Sequence, residues 1–195
     1  GGLEYLFGNT LRTGEFVPFF AHDRKQEKQA FIDFIDFVTK RLQADKTAHV
    51  YHYANYEVTA LNRLAARHGV LEQEVAQLVS SGRMVDLYKV VKGSIMVSQP
   101  SYSIKKLEAF YDFDRKSKVL DAGSSIDEYD YYRQQIELGE DGATETLKQI
   151  TDYNEDDCVS TMALYNWLSS MPGAHSRYQE FERAKDIKKA REARS

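Results

Sequence analysis

Residues 48–57, Ala48-His49-Val50-Tyr51-His52-Tyr53-Ala54-Asn55-Tyr56-Glu57, run from a β-branched and aromatic stretch straight into a segment of helical spacing. Tyr56, Ala60, Leu61, Leu64 and Ala65 recur at three- and four-residue steps, and Gly69 supplies the stop. The pattern predicts a strand over 48–53 feeding a helix over 55–68, the unit from which α/β folds are built. Strand ends in such folds are where sites are commonly placed, so Glu57 in the helix's first turn is a candidate site residue. The ordinary alternative is an Asn55 cap followed by an acid two residues on.

Working outward, residues 3–8 and 15–21 are aromatic-rich β-type runs separated by a polar loop ending at Gly14, which predicts a hairpin. Ala30, Phe31, Phe34, Ile35, Val38 and Leu42 form one apolar stripe, predicting an amphipathic helix over 24–43 that packs on a sheet. Residues 71–79 predict a further helix. Residues 84–91 read equally as strand or helix start. Ile104, Leu107, Phe110 and Tyr111 mark another helix after Pro100, and 111–124 reads as charged loop. Residues 125–138 predict a tyrosine-rich helix, and 144–169 a long one broken near Thr151-Asp152 and ended by Pro172-Gly173.

The chain has 195 residues, 42% of them hydrophobic, which suits one globular domain with a single core. We place that domain at 1–170 and read 171–195 as a charged helical tail or linker. With 26 Lys and Arg against 30 Asp and Glu, no overall basic field draws the chain to nucleic acid or an anionic membrane, so any phosphate is met locally. One cysteine, Cys158, makes neither an internal disulfide nor a cysteine zinc site. No apolar run approaches the roughly 18–20 residues of a membrane span. These features predict a soluble, cytoplasmic protein without a membrane partner. The chain opens Gly1-Gly2-Leu3 and enters an apolar run at once, so it is read as a piece of a longer one.

The most specific local signal is Tyr153-Asn154-Glu155-Asp156-Asp157-Cys158, where Tyr153 and Asp157 are four apart and share a helix face. The competing reading is that three consecutive acids near a helix start complement its dipole. His49, His52 and His68 have no metal-binding spacing and read as packing or surface residues. Tyrosines between 129 and 132 either stack bases or pack in the core. Cys158 reads as buried rather than nucleophilic.

In order, the hairpin, helix, strand, the helix with Tyr56-Glu57, Val85-Asp86-Leu87-Tyr88, Tyr102-Ser103-Ile104-Lys105 and Tyr153-x-x-x-Asp157 resemble the ribonuclease H-like exonucleases of the DEDD class. The resemblance covers residues 3–168. The last motif is of the tyrosine subtype, since Asp152 stands where the histidine subtype has histidine. Within that class the chain is most similar to the ribonuclease H-like domain of RecB-family nuclease proteins, which often accompanies a helicase.

This resemblance implies an α/β, ribonuclease H-like mixed sheet flanked by helices, with 3′–5′ exonuclease action on DNA rather than RNA. It implies two Mg2+ or Mn2+ ions held by carboxylates, since hard ions take oxygen ligands and a pair of them stabilises both attacking and leaving oxygens. Carried over by position, Asp157 and Glu57 are metal ligands and Tyr153 orients the attacking water. Lys105 is a candidate phosphate contact, and Asp86 matches a position that is either functional or only structural. Two departures stand out. Glu57 replaces the usual aspartate, with His52 and Tyr53 at the candidate asparagine places. The first motif, an Asp-x-Glu on the first strand, is missing, which predicts an inactive fragment. The alternative is a non-catalytic nucleic-acid-binding or scaffolding module of the same fold.

In this family the first strand lies centrally in the sheet. Its loss predicts unpaired edges, which the fragment closes directly, fills with another segment, or pairs with a second copy as a homodimer. Other implied partners are the further domains of a longer nuclease or helicase protein.

Overall fold

The alternating run at the amino end folds as a hairpin in which β1 (Leu6–Thr10) and β2 (Phe16–Phe20) pair antiparallel, Leu6 opposite Phe20. A computed structural model describes residues 2–117 and 122–172. After the hairpin, the Asp23 side chain accepts from the Gln26 backbone N–H at 2.8 Å and so caps α1 (Arg24–Ala44). The α1 stripe of Ala30, Phe31, Ile35, Val38 and Leu42 is buried, as its spacing requires.

The strand and helix read from residues 48–69 are both present, as β3 (Val50–His52) and α2 (Tyr56–His68), and Gly69 ends α2 in the left-handed region at φ 59°. Then α3 (Glu72–Ser80) leads to β4 (Met84–Asp86), which pairs parallel with β3 in the register Val50–Met84, Tyr51–Val85 and His52–Asp86. The ambiguity over 84–91 resolves as both elements, because α4 (Leu87–Ser94) starts where β4 stops, with the Asp86 side chain as its cap. Alternation splits the β3–β4 pair between two cores. Val50 and Met84 face the cluster of Phe31, Ile35, Leu61, Leu64 and Val75. Tyr51 and Val85 face the cluster of Leu87, Val91, Leu107 and Leu164.

Beyond it, α5 (Ile104–Leu107) is a single turn continued by a 3-10 turn at Glu108–Phe110. Two long helices, α6 (Ala122–Leu138) and α7 (Ala143–Ser170), complete the described chain. The expected break at Thr151-Asp152 does not occur. Thr151 Oγ1 donates to the Leu147 carbonyl at 2.7 Å, and this bond one turn back leaves the helix continuous. On α6, Tyr129 is buried, stacks on Tyr5 at 4.0 Å and donates to the Ala21 carbonyl at 3.1 Å, so it packs rather than offering a face to bases. The tail assigned to 171–195 lies almost wholly outside the described residues.

The mixed α/β architecture is as expected, but among the described residues the strands form two separate two-stranded sheets, β1–β2 and β3–β4. The sheet therefore does not close directly. Helix α7 packs against both β1 and β3 and holds the two sheets on one frame. Between them lies a cavity of about 1660 Å³, lined along β1 and β3 but not by β2, and by Phe34 and Val38 of α1 and Tyr153 and Asp157 of α7. This exceeds the roughly 300–1,000 Å³ of ordinary small-molecule pockets. Every residue of β1 and β4 is only partly buried, although strands enclosed by helices on both faces are normally buried. For β1, all of whose residues line it, the open slot accounts for this.

Gly8 sets how closely α7 approaches β1. A Cβ built at Gly8 would lie 1.7 Å from Asn154 Oδ1 and 2.9 Å from Phe16 Cε2. Gly8→Ala must therefore displace the Asn154 side chain from its place against β1. The expected loss is about 1–3 kcal/mol, the usual range for overpacking, read as a lower denaturant midpoint; an unchanged midpoint would mean that this contact does not set the spacing.

Candidate active site

The carboxyl end of β3 turns into α2 through Tyr53-Ala54-Asn55, with Ala54 at φ 68°. Because alanine rarely adopts that conformation, the turn needs external support. The Ala54 N–H donates to Asp86 Oδ1 at 2.9 Å, and the same oxygen accepts from the Tyr88 N–H at 3.0 Å. Asp86 thus ties the β3 turn to the start of α4, which is the structural one of its two readings. His52 Nδ1 lies 2.7 Å from the Ala54 carbonyl and 3.5 Å from Glu57 Oε2. Both neighbours are acceptors, so Nδ1 carries the hydrogen. Burial opposes charge on His52, but the Glu57 carboxylate, the Ala54 carbonyl and Asp86 outweigh it and hold its pKa above the ordinary value.

Glu57 is brought to the cavity by this turn. The Asn55 cap reading fails in its hydrogen bond, since Asn55 makes no side-chain cap bond and its Nδ2 donates to Thr59 Oγ1 at 3.1 Å. Glu57 Oε2 is buried and makes no hydrogen bond, its contact being the charge contact with His52 Nδ1 at 3.5 Å. Burying an acceptor unsatisfied is costly, which fits an oxygen placed to meet a cation.

On the opposite wall, α7 presents Tyr153 and Asp157 to the same cavity, one turn apart as their spacing predicts. The dipole reading of the acidic run does not hold: α7 begins at Ala143, so residues 155–157 sit in mid-helix, beyond the reach of its N-terminal partial charge. The three acids have separate surroundings. Asp156 is buried and accepts from the Ser117 N–H at 2.7 Å. Asp157 Oδ1 lies 2.7 Å from Arg115 Nη1. Burial raises the Asp157 pKa, with Arg115 and Lys105 opposing. Cys158, beside them, is pushed up to about 12 by burial and by the charges of Asp157, Glu57 and Glu155, so its thiol stays protonated.

Tyr153 is buried beneath two cations, with Lys105 Nζ at 5.0 Å and the Arg115 guanidinium carbon at 5.7 Å from its ring centre. Lys105 thus lies next to Tyr153. Sequence reading missed Arg115, which lies in the segment read as charged loop, and His52, which was read as packing or surface. Carboxylate oxygens are hard donors of the kind Mg2+ or Mn2+ takes. Glu57 and Asp157 fit as part of such a set; among the described residues, no group of three or more His, Cys, Asp or Glu side chains is placed to hold a metal.

Comparison with known proteins gives one family. A search of curated proteins and a search of solved structures found no match. A family model described as RNase H superfamily matches residues 1–169, which is the whole of the hairpin, the parallel pair and the helix carrying Tyr153 and Asp157. The chain belongs to the RNase H superfamily.

Proposed function

We propose that this chain is the nuclease domain of a divalent-metal-dependent 3′–5′ exonuclease acting on DNA, of the DEDD class and tyrosine subtype. The observation that carries this reading is the convergence of Glu57, Tyr153 and Asp157 on one cavity at the carboxyl end of β3, with a buried Glu57 oxygen that makes no hydrogen bond. Glu57 and Asp157 would hold Mg2+ or Mn2+, which when bound stabilises charge on the attacking and leaving oxygens of a phosphodiester. Tyr153 orients the attacking water through its hydroxyl, and its ring is kept in place by Lys105 and Arg115. Lys105 contacts a backbone phosphate.

The slot between β1 and β3 supports the further reading that a strand bearing Asp-x-Glu, from a longer protein of the RecB-family nuclease type, fills it and supplies the remaining carboxylates. Unpaired edges on both sides suit one extended strand. In this reading the 195-residue chain alone is inactive. Pairing of a second copy through the same edges is the competing use of the slot. A non-catalytic nucleic-acid-binding module is the second functional reading, favoured by the two carboxylates standing alone among the described residues.

Tyr153→Phe separates the two functional readings. With the sheet completed, this change should slow cleavage roughly 10- to 100-fold, the usual cost of losing a group that orients a metal-site ligand. Added Mn2+ should still raise its melting temperature as much as the wild type's, because binding to the folded state stabilises it. Nucleic-acid binding indifferent to chelator, with no Mn2+ shift in either protein, would favour the binding module.

A further inference from the structure

Arg115 has its nitrogens unequally engaged. Nε donates to the two Glu108 carboxylate oxygens at 3.0 and 3.1 Å, and Nη2 donates to Oε1 at 2.6 Å. Glu108 is itself buried and fixed, for its Oε1 also accepts from Ser160 Oγ at 2.8 Å, and Ser160 Oγ lies 2.9 Å from the Tyr111 hydroxyl. That end of the guanidinium is anchored. Nη1 is buried against Asp157 Oδ1 at 2.7 Å, yet it meets no hydrogen-bond geometry there and has no other partner. One end is locked and the other rests on a charge contact.

The charge balance gives this arrangement a direction. Two carboxylates, Glu108 and Asp157, share one guanidinium, and Lys105 adds a further positive charge acting on Asp157. A divalent cation on Asp157 and a guanidinium touching the same oxygen would repel strongly at that separation. The guanidinium is rigid and planar, so with Nε and Nη2 held by Glu108 it is the Asp157 side chain that turns away, leaving Nη1 in place without its carboxylate. The planar donor set of arginine matches phosphate oxygens well, and Arg115 already lies over the Tyr153 ring at the cavity wall.

We propose that Arg115 is an internal counter-ion of Asp157 that yields the carboxylate to a divalent cation and, still anchored on Glu108, offers the freed Nη1 to a phosphate oxygen of the bound nucleic-acid strand. This inference rests on the metal-dependent reading above. Its consequence is ordered loading, because the phosphate donor is released only once the cation is in place.

Two measurements on the 195-residue chain test it. The first follows the Arg115 guanidinium nitrogens by NMR, assigned with Arg115→Lys, while Mg2+ is added. The Nη signals should move while Nε, held by Glu108, stays in place. Signals that do not move while Asp157-dependent Mg2+ binding is seen by calorimetry would reduce Arg115 to a structural strut and overturn the proposal. The second compares wild type and Arg115→Ala for binding a single-stranded oligothymidylate with Mn2+ across salt concentrations. Loss of a phosphate contact should weaken binding and lower the slope of log affinity against log salt by about one; an unchanged slope would overturn the phosphate role. Should Arg115→Ala fail to fold, Arg115→Gln gives the same comparison, and the NMR titration needs only the wild type. If calorimetry on the 195-residue chain finds no Mg2+ binding that Asp157→Ala removes, this proposal is overturned; the metal-dependent reading falls only if the protein extended by the Asp-x-Glu strand shows none either.

Discussion

Asp157→Ala abolishes metal-dependent cleavage in a chain whose sheet is completed by an Asp-x-Glu strand, with a loss of at least roughly 10²–10³, the order that removing one preorganised charge-stabilising group costs. Asp157 stands on α7 facing the same cavity as Glu57, with its side chain 40% exposed, and among the described residues of α7 it brings the one carboxylate that lines that cavity. The substitution should leave the fold intact, because Arg115, only 14% exposed, is still neutralised by Glu108 through three donor contacts. Circular dichroism and the metal-free melting temperature should therefore match the wild type, while the Mn2+-induced rise in melting temperature disappears. Activity equal to the wild type would remove this site from consideration.

The largest expected effect on stability is at Glu27. This carboxylate is 0% exposed on α1, yet it gathers Arg24 Nη1 at 2.9 Å, Arg67 Nη1 at 2.9 Å, His68 Nε2 at 2.8 Å and the Glu4 N–H at 2.6 Å. The same two arginines also donate to the Gly2 carbonyl. Glu27 thereby ties the entry of β1 to both α1 and α2, and Glu4 continues the tie through Arg63 and the Tyr56 hydroxyl beside Glu57. Glu27→Ala should cost about 3–5 kcal/mol, as expected when one partner of a buried ion cluster is removed. Denaturant unfolding checks it, and a loss within measurement error would contradict the account.

The pH dependence of that term has a definite sign. Burial alone would raise the Glu27 pKa, but the bonds from the Glu4 N–H, Arg24, Arg67 and His68 outweigh it and hold the carboxyl below its ordinary value. A lowered folded-state pKa means the unfolded chain binds the proton more tightly. The contribution is fully present above the unfolded glutamate value of about 4.3, and is lost as pH falls through the lower, folded-state value. Glu27→Gln should accordingly show a shallower fall in stability with acid than the wild type.

Much of the fold was legible because it rests on local periodicity. The α1 stripe, the α2 stripe with its Gly69 stop and the β3-to-α2 junction all follow from spacing that needs no distant partner. The segment 84–91 was ambiguous for a physical reason: Asp86 is at once the last residue of β4 and the cap of α4, so the two patterns abut without a loop. The long α7 was misread at Thr151, whose hydroxyl satisfies itself within the helix. At the site, the shared face of Tyr153 and Asp157 was visible as a four-residue step. Arg115 was not, because its role depends on a carboxylate 42 residues further along the chain, and no periodicity records such a meeting. Nor was the burial of Glu27, whose partners come from the chain's first residues and the far end of α2. The open slot was legible only through the resemblance, which implied a strand between β1 and β3.

The most direct test of the central claim is a cleavage assay on 5′-labelled single-stranded DNA with Mn2+, comparing the 195-residue chain with one extended at its amino end by an Asp-x-Glu strand. The account predicts that only the extended protein cuts, giving a ladder that shortens from the 3′ end and vanishes with Asp157→Ala. Binding of DNA by both proteins with cutting by neither would contradict it and leave the chain as a binding module.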